Sequence, residues 1–269
     1  MGYPRVGFCP RRAGGVNLRE GPTAPLARLA DVNANPTPAV EPVVRWSRPE
    51  GERTEDLLIV LHGYGANEDD LFGLVPHLPE HFTVAAVRAP LPLQPGSHAW
   101  FPLSQDPVTG ELGSTAEPVR EAVEALHAWV QAVRGDFRTV SLLGFSQGMA
   151  MATSLLRLDP EAYACTVALS GFVVDPELTE PRLRELFTRD DDVARVRPKV
   201  FWGRGQEDPI ISEPRVEETH AWLNAHVDLM KIVYAGLGHA INEQELGHVK
   251  EYLAHMLSLI HISEPTRQE

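Results

Sequence analysis

The sequence predicts an α/β fold: one doubly wound, mostly parallel sheet with helices on both faces. Three observations predict it. Near-continuous apolar runs of four to seven residues recur along the chain, as strands buried on both faces require. Amphipathic segments at helical spacing separate them, and the turns between the two kinds of segment are short.

The expected strands are Val43–Ser47, Leu57–Leu61, Phe82–Val87, Thr139–Phe145, Cys165–Ser170, Val200–Gly203 and Asp228–Tyr234. In the clearest helix Val119, Val123, Leu126, Val130 and Val133 form one stripe, while Arg120, Glu121 and Glu124 face away. Ser114 and Glu117 are spaced as a capping box at its start, with Pro118 in the first turn. Leu246, Val249, Leu253 and Leu257 mark the last helix. Asp190-Asp191-Asp192 precedes a strand and reads as a solvated turn. Two long connections remain, Ala89–Gly113 with the apolar cluster Trp100-Phe101-Pro102-Leu103, and Phe172–Pro198. Loops of this length in a compact domain are usually functional or mobile. Neither is long enough for a second domain, so one domain is expected over residues 43–258.

With 269 residues, 43% of them hydrophobic, the chain can bury one large core. Its 24 basic and 37 acidic side chains give a formal charge of −13, which repels phosphate backbones and anionic headgroups. Nucleic acid is therefore excluded as a partner. Stable membrane insertion is also not expected, because no stretch approaches the ~20 apolar residues of a membrane span. Cys9 and Cys165 imply no disulfide framework, and Cys165 reads as a small buried hydrophobe. Residues 1–42, rich in Pro, Gly, Ala and Arg, read as a disordered leader or the extension of a misplaced start; no apolar segment follows Arg11-Arg12. Residues 259–269 resemble translated adaptor sequence and read as a non-native tail. A soluble, cytoplasmic protein is expected.

The chemistry centres on Gly144-Phe145-Ser146-Gln147-Gly148, which follows an expected strand and opens the apolar helix Met149–Leu158. G-x-S-x-G in that context is a nucleophile elbow, a strand-to-helix turn so tight that the flanking residues must be nearly side-chain-free. A serine hydroxyl needs a base. His239, in Gly238-His239-Ala240, follows the strand Asp228–Tyr234 and stands where α/β active sites gather. His62 competes but precedes the serine. His77, His81, His127, His220, His226 and His248 read as surface residues. The base needs a carboxylate to fix its tautomer. Asp208, in Gly205-Gln206-Glu207-Asp208-Pro209, follows the strand Val200–Gly203 and is preferred to Glu207, giving the order Ser146, Asp208, His239. The oxyanion donors are expected from the N–H of Gln147 and, on the glycine-rich Leu61-His62-Gly63-Tyr64-Gly65 turn, the N–H of Tyr64. Trp100 and Phe101 are candidates for lining a substrate pocket.

These segments, with Ala168-Leu169-Ser170-Gly171 and Gly238-His239-Ala240-Ile241, together resemble the phospholipase/carboxylesterase family, which includes the acyl-protein thioesterases. The resemblance spans Val43 to Leu257. It implies a compact α/β-hydrolase fold without a large cap, hydrolysis of carboxylic esters or acyl thioesters through an acyl-enzyme, and Tyr64 and Gln147 as oxyanion donors. The expected mechanism requires no cofactor and no metal, and no metal-ligand spacing is visible in the sequence. Pro102 stands where relatives often carry Asp, and Tyr64 where they often carry a smaller aliphatic residue; both bear on the substrate. The expected partner is a small ester or thioester, with a homodimer possible through apolar loops near the site. The alternative is a catalytically silent hydrolase-fold binding module, against which the complete Ser146, Asp208 and His239 set argues.

Overall fold

The computed structural model of the chain describes residues 41–105 and 112–263. The expected leader lies outside the described residues except for Glu41 and Pro42, as do residues 264–269 of the expected tail. The elements are β1 (Val44–Trp46), β2 (Asp56–Leu61), α1 (Glu68–Phe72), β3 (Phe82–Val87), β4 (Leu91–Gln94), β5 (Ser97–Ala99), β6 (Ser104–Gln105), β7 (Leu112–Gly113), α2 (Ala116–Val133), β8 (Thr139–Phe145), α3 (Gln147–Leu158), β9 (Thr166–Leu169), α4 (Pro181–Leu186), α5 (Asp190–Val196), β10 (Lys199–Gly205), α6 (Glu213–His226), β11 (Asp228–Tyr234) and α7 (Glu243–Ser263).

The main sheet runs β1-β3-β2-β8-β9-β10-β11 and is parallel except for β1, which pairs antiparallel with β3. The period-two pleat of β2 divides its side chains between two cores. Leu57, Ile59 and Leu61 pack with Val123 and Val130 of α2, Met149 of α3 and Trp222 of α6. Leu58 and Val60 pack with Leu71 of α1 and with Val249 and Leu253 of α7. Burying each such aliphatic side chain contributes about 1.5–3 kcal/mol. From β2 the chain steps to β3 on one side, then returns past β2 to β8. That reversal is a topological switch point, so the loops after β2 and β8 diverge around a crevice at the strands' carboxyl ends.

The described part of the Ala89–Gly113 connection holds regular structure despite its prolines. It carries the antiparallel pairs β4·β5 and β6·β7, and an isolated bridge ties Ala66 to His98. The capping box expected from Ser114 and Glu117 does not form. The N-cap is Thr115, with no side-chain cap bond, because the third helical residue is then Pro118, which has no N–H to donate. Helix α7 continues to Ser263 rather than ending near Leu259, since no helix breaker occurs before Pro265. Of the histidines read as surface, His77, His81 and His220 are exposed, while His127, His226 and His248 are half-buried.

Asp190 also departs from expectation. It opens α5, and its carboxylate receives Arg157 Nε at 2.8 Å and Nη2 at 2.7 Å. Arg157, on the buried helix α3, has no exposed surface. Its Nη1 donates to Val174 O and its guanidinium stacks on Phe187 at 3.8 Å. A buried guanidinium is tolerable only with such complete pairing. Asp190→Ala is therefore expected to lower stability by about 3 kcal/mol, because it strands a buried cation. Urea denaturation should also show the double change Asp190→Leu with Arg157→Leu costing less than the single change.

Candidate active site

Ser146 sits between β8 and α3 with φ 56° and ψ −117°, a strained conformation for a residue with a Cβ. The turn closes because a Cβ at Gly144 would overlap Gly148 O, and one at Gly148 would overlap Leu61 O. The serine hydroxyl is thereby pushed out at the crevice while α3 begins directly behind it. His239 Nε2 lies 2.9 Å from Ser146 Oγ, and His239 Nδ1 lies 2.8 Å from Asp208 Oδ2. An Nδ1–H held by the carboxylate leaves Nε2 as the acceptor for the serine proton. Asp208 has a fully buried side chain, yet accepts N–H bonds from Ile210 and Ile211 at 2.8 and 3.2 Å. Burial pushes its carboxyl upward, but the bonds from His239 and Ile210 outweigh it and hold it below the usual carboxylate range. Glu207, its rival in the sequence, is exposed. The Asp208 and His239 loops are stitched together by Gln206 N–H to Tyr234 O and Glu207 N–H to Leu237 O, both 2.9 Å.

The N–H of Gln147 belongs to the first turn of α3, whose donors lack intrahelical acceptors and face the positive end of the helix dipole. Tyr64 is carried between Gly63 and Gly65, and Gly65 takes the left-handed φ of 82°. Gly65 N–H donates to His98 O, His98 N–H to Ala66 O, and Ser97 Oγ to Gly65 O, all at 2.8 Å. The β4·β5 hairpin thus braces the turn that carries Tyr64. A cavity of about 190 Å³ opens beside the serine, bordered by Tyr64, Asp70, Leu71, Phe145, Ser146 and His239. Among the described residues, no three His, Cys, Asp or Glu side chains gather closely enough to hold a metal ion, and no helix is long and apolar enough to cross a membrane.

A family model described as Phospholipase/Carboxylesterase matches residues 47–257. The chain belongs to the phospholipase/carboxylesterase family. It is 26% identical over 220 residues to a probable carboxylesterase of Oryza sativa subsp. japonica, covering 74% of this chain and 87% of that protein. Among solved structures, esterase PE8 superposes with TM-score 0.65 at 24% identity, covering 81% of this chain and all (100%) of the other. Zea mays acyl-protein thioesterase 2 superposes with TM-score 0.63 at 19% identity, covering 80% and 99%. These structures share the α/β-hydrolase fold with this family member.

Trp100 and Phe101 do not reach the cavity beside Ser146; they are 3% and 1% exposed. Trp100 borders an apolar cleft of about 380 Å³ with Ala89 and Leu126, and Phe101 a cleft of about 260 Å³ with Phe172 and Leu183. Their backbones are clasped by the Gln147 side chain, which accepts Trp100 N–H at 2.9 Å and donates to Phe101 O at 2.8 Å. Trp100 Nε1 then donates to His62 O at 2.9 Å. His62, the competing histidine, is buried with Nδ1 2.8 Å from Gly63 O and Nε2 accepting Ala89 N–H at 3.0 Å. Burial lowers its pKa. Its neutral ring is a strut of the Tyr64 turn, and the residue borders the same cavity as Ser146.

Glu245 carries no sequence signal of its importance. It is fully buried, in the first turn of the helix that follows the His239 loop, and neither carboxyl oxygen has a hydrogen-bond partner. A Cβ at Gly203 would overlap its Oε1, so glycine there makes the space. Burial pushes the carboxyl up to about 7 from 4.5. A carboxyl whose folded pKa is raised leaves the folded state fully stable below pH ~4.5, and stability falls as pH rises toward ~7. Glu245→Gln should flatten that fall, on the order of 3 kcal/mol, in urea midpoints measured at pH 5 and pH 7.5.

Proposed function

We propose that the chain is a serine hydrolase of carboxylic esters or acyl thioesters. The observation that carries this reading is the unbroken line Ser146 Oγ to His239 Nε2 at 2.9 Å and His239 Nδ1 to Asp208 Oδ2 at 2.8 Å. As Ser146 Oγ attacks the acyl carbonyl, His239 takes its proton and Asp208 holds the resulting imidazolium. The N–H groups of Gln147 and Tyr64 receive the oxyanion of the tetrahedral intermediate. His239 passes its proton to the departing alcohol or thiol, leaving the acyl group on Ser146. Water then repeats the sequence, with His239 as base, and releases the acid. Trp100 and Phe101 serve as positioning residues for the Tyr64 turn in this scheme, not as substrate contacts. Family membership supports the reaction class, since ester and thioester differ only in the leaving atom.

The purified protein is expected to hydrolyse p-nitrophenyl butyrate and to be labelled by a fluorophosphonate. Ser146→Ala should lose labelling and several orders of magnitude in kcat. Undiminished turnover in that variant would sink the assignment; a folded wild-type chain that resists the label would favour the silent binding module.

A further inference from the structure

Helix α1 opens with three consecutive acids, and two are neutralised. Glu68 takes the Arg88 guanidinium, with Nε at 2.6 Å, and Asp69 pairs with Arg45. Asp70 makes no ion pair among the described residues; its side chain accepts the N–H of Asn67 at Oδ2, 2.8 Å away. That capping bond fixes the side chain on the wall of the cavity shared by Ser146 and His239. The rest of that wall comes from His62, Gly63, Tyr64, Ala66, Leu71 and Phe145, so Asp70 is the one carboxylate among the residues that border the cavity. An unneutralised carboxylate there opposes the oxyanion that develops at the neighbouring N–H groups. Only a substrate that brings positive charge offsets this cost.

We propose that Asp70 is a specificity-determining residue: it admits esters and thioesters bearing an ammonium group and disfavours those bearing a carboxylate. The inference rests on the esterase reading above. Exposed charge pairs are each worth up to about fivefold in a rate constant, so opposite charges on the substrate should differ by roughly tenfold.

The test is kcat/KM for a matched acyl series on a common 4-nitrophenyl leaving group: 4-(trimethylammonio)butyrate, its neutral isostere 5,5-dimethylhexanoate, and monoglutarate. Acetylthiocholine against S-(3,3-dimethylbutyl) thioacetate places the charge on the leaving group instead. The wild type should prefer cation over anion or, in the leaving-group pair, cation over neutral. Raising NaCl from about 20 mM to about 0.5 M should shrink the preference, because Asp70 is exposed to solvent. Asp70→Asn, which keeps an acceptor for the Asn67 N–H, should remove it. A charge ratio near one in both series, or a ratio unmoved by salt and by Asp70→Asn, overturns the filter while leaving the esterase reading intact. No turnover of any substrate, the neutral isosteres included, overturns the esterase reading and the filter with it.

Discussion

The turn at Ser146 is the constraint on which the rest of the structure depends. A residue with a Cβ is held at positive φ because a strand buried along its middle must pass into a buried helix within one residue. The two glycines remove the side chains that would separate α3 from β8 and from Leu61 O. The resulting depth of α3 has consequences along its length. Its residues from Gln147 to Arg157 are buried, so they must be apolar, small or completely paired. Arg157 meets this by holding Asp190 and Val174 O, which pins the start of α5 and the loop after β9 against the same helix. Strain at one residue persists only where the surroundings over-determine it, and the paired, immobile α3 supplies that surrounding.

A second web holds the opposing wall of the crevice. Gln147, the first residue of α3, uses its side chain on Trp100 and Phe101. Trp100 in turn fixes His62 O, and His62 braces Ala89 N–H. The nucleophile's neighbour and the Tyr64 turn are therefore parts of one hydrogen-bonded unit, although they lie more than 80 residues apart in the chain. Each polar group in that unit is removed from water, so each bond left unmade would cost about 1–3 kcal/mol. Such an arrangement ties the Tyr64 turn to the start of α3 without relying on loop stiffness.

What was legible in the sequence follows the range of the forces involved. Three strands, Phe82–Val87, Thr139–Phe145 and Asp228–Tyr234, run over the residues their apolar patterns mark. Ser146, Asp208 and His239 were marked by strand-end position, a local property, and the fold brings the three together. Non-local pairing was not legible. Asp190 looked solvated because its partner Arg157 lies 33 residues away in an otherwise apolar helix. Trp100 and Phe101 looked like pocket residues because an aromatic pair in a long loop has the same composition whether it meets a ligand or a glutamine side chain. The Asn67 and Asp70 capping box, which sets a charge beside the nucleophile, lies in a short helix with too few residues to show periodicity.

His62 and His239 show how little separates a base from a strut. Both rings stand at the crevice wall, and both have one nitrogen held by an oxygen at 2.8 Å. For His239 that oxygen belongs to a carboxylate, and the other nitrogen faces a hydroxyl. For His62 the oxygen is a backbone carbonyl, and the other nitrogen already accepts the Ala89 N–H. A proton added there would meet a donor head-on inside a desolvated site, so the ring stays neutral and serves geometry alone. The two imidazoles thus differ in both partners: His239 stands between a carboxylate and a hydroxyl, His62 between a backbone carbonyl and a backbone N–H.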